Sequence, residues 1–136
     1  MKKVFINLPV KDLEAAKGFY TALGYGLDTR FMDETAACVV ISEAIHVMLL
    51  THDKFQQFTP KAIAGEDTTN VLLSFSEESR EDVDALVEKA LTTGGREAHE
   101  AEDLGYMYQR GFYDLDGHGW GVMWMDVSQM MAKEAD

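Results

Sequence analysis

Four histidines, one cysteine and two pairs of neighbouring acids are the residues of this chain best equipped for chemistry, and their spacing limits what they can do. A divalent cation needs several donors converging at about 2.0–2.6 Å. His46 and His52 have the same strand parity, but six residues of continuous strand would separate them by roughly 20 Å, too far for one metal. His118 belongs to the turn Asp116-Gly117-His118, where it orders a hairpin or faces solvent. His99 follows the stop Gly94-Gly95 in an acidic stretch. His46 is the best candidate for a metal or ligand contact, with Glu43 near it in sequence; the plainer alternative is a surface strand histidine. Cys38 lies in the apolar run Ala36-Ala37-Cys38-Val39-Val40-Ile41 and reads as a buried, unreactive thiol. A lone cysteine excludes an intrachain disulfide.

Other catalytic signatures are missing. There is no G-x-S-x-G elbow, P-loop, H-E-x-x-H or C-x-x-C. Gly24-Tyr25-Gly26 ends a helical stretch instead of opening one, so it is not a dinucleotide fingerprint. Glu77/Glu78 and Glu81/Asp82 fall in the first turns of an expected helix, where they complement its dipole.

The chain has 136 residues, the size of one domain, and 46% of them are hydrophobic, enough for a core without disulfides or structural metal. Its formal net charge of −12 disfavours nucleic acid and anionic membranes. Met1-Lys2-Lys3-Val4-Phe5-Ile6-Asn7 is too short an apolar stretch for a signal peptide or a membrane span. The sequence therefore predicts a cytoplasmic protein with no nucleic-acid or membrane partner.

The elements that would position these residues follow from periodicity and punctuation. Residues 4–10 read as a strand closed by Pro9. Asp12 caps a helix whose stripe is Leu13, Ala16, Tyr20 and Leu23, stopped by Gly24 and Gly26. Residues 27–32, 36–41 and 45–51 read as three strands, with a tight turn at Ser42-Glu43-Ala44. Residues 52–69 show no period and read as a connecting loop. The grammar then repeats: a strand over 70–75; a helix capped by Ser76 or Ser79, with stripe Val83, Leu86, Val87, Ala90 and Leu91, ended by Gly94-Gly95; and strands over 96–100, 106–113 and 120–125. Asp114-Leu115-Asp116-Gly117 makes a turn, and 127–135 is a short helix or tail. The fold class is α+β: two β-α-β-β-β modules, 1–52 and 70–126, repeating at about 65–70 residues.

Leu8-Pro9-Val10-Lys11-Asp12-Leu13 with Phe19-Tyr20, and Phe112-Tyr113-Asp114-Leu115-Asp116-Gly117-His118, resemble the first strand-helix unit and the last hairpin of the vicinal oxygen chelate superfamily. That group includes glyoxalase I, extradiol dioxygenases, fosfomycin-resistance proteins and bleomycin-binding proteins. The resemblance covers nearly the whole chain. It implies an open eight-stranded, U-shaped mixed sheet and a homodimer. In metal-using members it implies ligands on the first and last strand of each module. Those positions fall here on Phe5, near Leu49, near Asn70 and on Gly121. Phe, Leu and Gly offer no donor side chain, and Asn70 offers one neutral oxygen. The resemblance thus implies no resident cofactor, with a divalent metal left open through residues such as His46.

If those positions point into the family's cavity, so do their same-parity neighbours. The expected lining is Phe5, Asn7, Leu49, Asn70, Leu72 and Met123, joined by Tyr106, Tyr108 and Arg110 from one strand, with His46 a further candidate. Arg110 would meet a ligand carboxylate or phosphate, or pair with one of many acids. Trp120 and Trp124 have the other parity from Met123 and are expected against helices. An apolar, aromatic lining with few polar groups suits a small organic molecule. The expected function is metal-free binding of such a molecule in the cleft between modules. Two alternatives stay open: a lyase of the glyoxalase type or a fosfomycin-type thiol transferase with non-standard ligands, and a structural homodimer without catalysis.

Overall fold

The computed structural model describes residues 1–69 and 71–135. They form two compact units, Met1–Thr68 and Thr69–Asp136, each with its own sheet. The first contains β1 (Val4–Val10), α1 (Leu13–Ala22), β2 (Gly26–Leu27), a 3-10 turn (Thr29–Phe31), β3 (Ala36–Val40), β4 (Ile45–Thr51) and α2 (His52–Gln56). The second contains β5 (Leu73–Ser76), α3 (Arg80–Thr92), β6 (Arg96–Asp103), β7 (Met107–Tyr113), β8 (Gly119–Met125) and α4 (Val127–Ala135). The strand orders β1-β4-β3-β2 and β5-β8-β7-β6 are the same pattern used twice. In each, the first strand lies parallel to the last and the remaining pairs are antiparallel. The fold is therefore α+β with two four-stranded mixed sheets, as the repeated grammar requires.

Local chemistry sets the boundaries. Asp12 accepts the Ala15 amide at 3.1 Å and opens α1. Of the two candidate caps for α3, Ser79 is the one used; it accepts the Asp82 amide at 3.1 Å. Glu81 and Asp82 lie in the first turn of α3, whereas Glu77 and Glu78, expected there too, precede the cap. Gly24 and Gly94 end the two long helices at φ of 108° and 109°, where a side chain would be strained. In the last hairpin, the buried Asp114 accepts the amides of Asp116 and His118 at 3.0 and 2.9 Å, so this carboxylate is the turn's organising group.

Two expectations fail here. Residues 27–32 are not a strand: Asp28 accepts the Arg30 amide at 3.1 Å and turns the chain into the 3-10 segment. Residues 52–69 are not all loop: Thr51 accepts the Lys54 amide at 3.3 Å and starts α2, which is too short to show a period. No described helix is long and apolar enough to cross a membrane.

Register decides which residues share a face. In the first unit, Ile6, Val47 and Val39 form one row and Leu8, Leu49 and Ala37 the next. This face holds the buried Leu8, Val39, Val47 and Leu49, and helix α1, which buries Leu13, Ala16, Phe19 and Tyr20, packs against β3 and β4. The other face carries the rows Phe5–His46–Val40 and Asn7–Met48–Cys38. In the second unit, α3 covers the face of Tyr108, Arg110, Phe112, Trp120, Val122 and Trp124. The opposite face carries Ser76–Met123–Gln109 and Ser74–Gly121–Gly111. Strand β6 closes that sheet's order and pairs with β7 through two register irregularities.

Candidate functional site

On the face of the first sheet turned away from the Leu8–Leu49 row, β1 and β4 place Phe5 directly beside His46. Their rings stack at 4.8 Å between centroids, 18° apart. His46 is 6% exposed, so the expectation of a surface histidine is corrected: it sits in an almost wholly apolar strand, sheltered on both sides. Its Nδ1 is buried without a hydrogen-bond partner among the described residues. A buried polar atom left unpaired costs about 1–3 kcal/mol. Phe5, by contrast, is 44% exposed.

Phe31 extends this aromatic surface. It lies edge-on to Phe5, with centroids 6.4 Å apart at 72°, and is itself half exposed. The Arg30 guanidinium stands 5.5 Å from the Phe31 ring centroid. Two hydrogen bonds, at 3.0 and 2.8 Å, hold that guanidinium to Asp28. Those bonds, with the Arg30 amide, hold the Asp28 carboxyl at about 2, and nearby His46 acts in the same direction. Phe31, beside Phe5, and Asp28, near His46, were not foreseen there, because a strand over 27–32 would have carried them away. The signal available was Asp28 itself, a capping residue type just after Gly26-Leu27. On the same sheet face, Cys38 is fully buried and burial pushes its thiol up, which agrees with an unreactive cysteine.

The remaining expected lining residues scatter. Asn7 is exposed on the Phe5 face. Leu49 is fully buried on the opposite, core face, so its placement beside Phe5 is corrected; a shift of one residue along a strand exchanges faces. Asn70 lies outside the described residues. Leu72 is exposed just before β5 and approaches Gly119. Tyr106 precedes β7, and its carbonyl accepts the Asp126 amide at 2.7 Å. Met123 is half-buried on the face of its sheet turned away from α3.

Tyr108 and Arg110 face the other way, and their expected place beside Met123 is corrected. Arg110 reaches helix α3, where its Nη1 lies 3.0 Å from both Asp84 and Glu88. The Tyr108 hydroxyl donates to Asp84 at 2.7 Å. This network binds strand to helix inside the second unit. Trp120 and Trp124 share that face as expected: Trp120 is buried, and Arg80 stands 5.0 Å from the Trp124 ring centroid.

The positions that supply metal ligands in the resembled superfamily do not fit a metal here. Phe5 has no donor atom, and Leu49 points into the core. At Gly121 a Cβ would lie 2.5 Å from the Ser74 hydroxyl oxygen, so not even alanine fits without Ser74 moving, far less glutamate. Among the described residues, no three His, Cys, Asp or Glu side chains converge on one point.

Residues 2–42 match the family model described as bleomycin resistance protein-like N-terminal. No curated protein matches the chain. Among solved structures, the hypothetical protein SA1046 of S. aureus is 29% identical, with 90% of this chain and 93% of that one covered and a TM-score of 0.77. A glyoxalase/bleomycin resistance protein/dioxygenase family enzyme from Burkholderia phytofirmans PsJN is 17% identical, with coverages of 93% and 100% and a TM-score of 0.76. The fosfomycin resistance protein FosX from Mesorhizobium loti is 14% identical, with coverages of 94% and 95% and a TM-score of 0.67. Two βαβββ units of the same strand order, the matched N-terminal segment and these shared topologies give the chain the glyoxalase/bleomycin resistance fold, the architecture of the solved structures it resembles.

Proposed function

We propose that this protein binds a small organic molecule on the Phe5–His46 face of its first sheet, and that it does so without a divalent metal. The observation that carries this reading is the buried Nδ1 of His46, which has no hydrogen-bond partner among the described residues, on a ring that stacks on a half-exposed phenylalanine. A polar group sheltered from water and left unpaired in an apolar surface is the usual means of orienting a ligand. The names of the structural neighbours, bleomycin and fosfomycin resistance among them, also concern small molecules. A lyase or thiol-transferase reading would need metal ligands that Phe5, Leu49 and Gly121 do not offer.

The test is elemental analysis of protein purified without chelators or a metal-binding tag, followed by incubation with nickel, zinc, iron and manganese. Metal content well below one ion per chain, with no change in thermal midpoint on incubation, is the expected result. A near-stoichiometric ion would overturn the metal-free reading and direct attention to lyase or dioxygenase assays.

A further inference from the structure

Phe5 and Phe31 present two exposed aromatic surfaces at 72° to one another, which makes a corner and not a flat patch. His46 stacks against Phe5, and the Arg30 guanidinium stands 5.5 Å from the Phe31 ring centroid. Arg30 is already engaged twice by Asp28, so this pair brings no free charge to the corner. The polar capacity left over is the buried Nδ1 of His46, which has no hydrogen-bond partner among the described residues. Together these features select a ligand. Its body should be planar and conjugated, because flat rings gain from offset and edge-to-face contacts with phenylalanine beyond the area they bury. Its rim should carry an uncharged hydrogen-bonding group, because the Nδ1 of His46, beside Phe5, is without a partner among the described residues and Arg30 is paired with Asp28. Resting on the small-molecule reading above, we infer that the Phe5–Phe31–His46 corner takes a neutral, planar aromatic molecule that carries a hydroxyl or amide at its edge.

The inference is tested by titrating the full-length protein with two probes of matched size and polarity, 2-naphthol and decahydro-2-naphthol. The second keeps the hydroxyl and the carbon skeleton but is neither flat nor conjugated. Binding is followed by calorimetry and by shifts of the protein's methyl resonances. Saturable one-to-one binding of 2-naphthol, with the saturated probe weaker by about three- to tenfold, is expected from the size of aromatic pair preferences. Phe5→Leu should reduce the preference between probes while retaining the apolar contact. His46→Leu should weaken both probes alike, by about three- to tenfold, the worth of one hydrogen bond. Cooperative thermal unfolding at a midpoint no lower than that of the parent protein would show that each variant folds. If both probes bind equally and Phe5→Leu changes neither, the planar class is overturned while small-molecule binding stands. If neither probe saturates and no methyl resonance of this face shifts, both the class and the binding reading fall.

Discussion

Tyr108 donates its hydroxyl to Asp84 across 2.7 Å, tying strand β7 to helix α3, and Arg110, one strand repeat further on, reaches the same carboxylate at 3.0 Å. The Tyr108 hydrogen bond, helped by Arg110, holds the Asp84 carboxyl below its ordinary 3.8, and the Asp84 bond pushes the phenol above 10.0. The signs are opposite. A lowered carboxyl contributes stability above about pH 4 and loses it as the pH falls through the folded value; a raised phenol contributes below about pH 10 and loses it as the pH rises. Urea midpoints should therefore stay level at neutral pH and fall at both extremes. Tyr108→Phe should remove this residue's alkaline share and cost about 1 kcal/mol at pH 7, a modest figure because Asp84 is half exposed.

Arg110 is nearly buried, with carboxylates from α3 around it. Removing it leaves Asp84 and Glu88 facing each other without a cation. Arg110→Met should lower stability at pH 7 by about 1–3 kcal/mol and less at pH 4, where the carboxyls begin to protonate. A loss that is equal at both pH values would assign the effect to packing alone.

Gly121 and Ser74 compete for one volume, since a Cβ at residue 121 would lie 2.5 Å from the Ser74 hydroxyl oxygen. Gly121→Ala should destabilise by about 1–3 kcal/mol through overpacking. Combining it with Ser74→Gly, which removes the clashing atoms, should recover much of that. Chemical denaturation of the two single variants and the double variant gives the coupling; an additive result would contradict the shared volume.

His46 offers a prediction of opposite sign for stability and binding. Replacing an unpaired buried imidazole by an apolar side chain of similar size removes an uncompensated polar group. His46→Leu should leave the unliganded protein equally stable or more stable by about 1 kcal/mol, while weakening any ligand. A clear loss of stability would mean that the imidazole is satisfied in solution.

Asp28 titrates at about 2 because Arg30 grips it. In Arg30→Gln, the carboxyl should titrate closer to 3.8 in an NMR pH series. An unchanged midpoint would show that backbone amides alone set it.

Much of the scaffold was legible in the sequence. Strand 45–51, the Asp12 cap, the glycine stops and the Asp114 turn all follow from local rules, and the repeat of strand, helix and three strands gave the fold class. Which side a residue faces was less legible. Leu49 lies one position from the face assigned to it, and one position is all that parity tolerates. Tyr108 and Arg110 have partners on α3, some 24 and 26 residues distant in sequence, and nothing local announces that pairing. His46 was readable in part: it interrupts Ile45-Val47-Met48-Leu49-Leu50, and a continuous apolar run is how a strand covered on both faces reads. The corner was missed because Asp28 turns the chain in three residues, below the reach of any periodicity.

At the far end of the second sheet, β6 has the sequence Arg96-Glu97-Ala98-His99-Glu100-Ala101-Glu102-Asp103, and its pairing with β7 slips twice. A strand arriving from another molecule would meet an acidic, irregular edge with a broken ladder, features that discourage edge-to-edge pairing. Replacing that stretch by a regular apolar alternation would leave the core untouched and turn the edge into a template for aggregation.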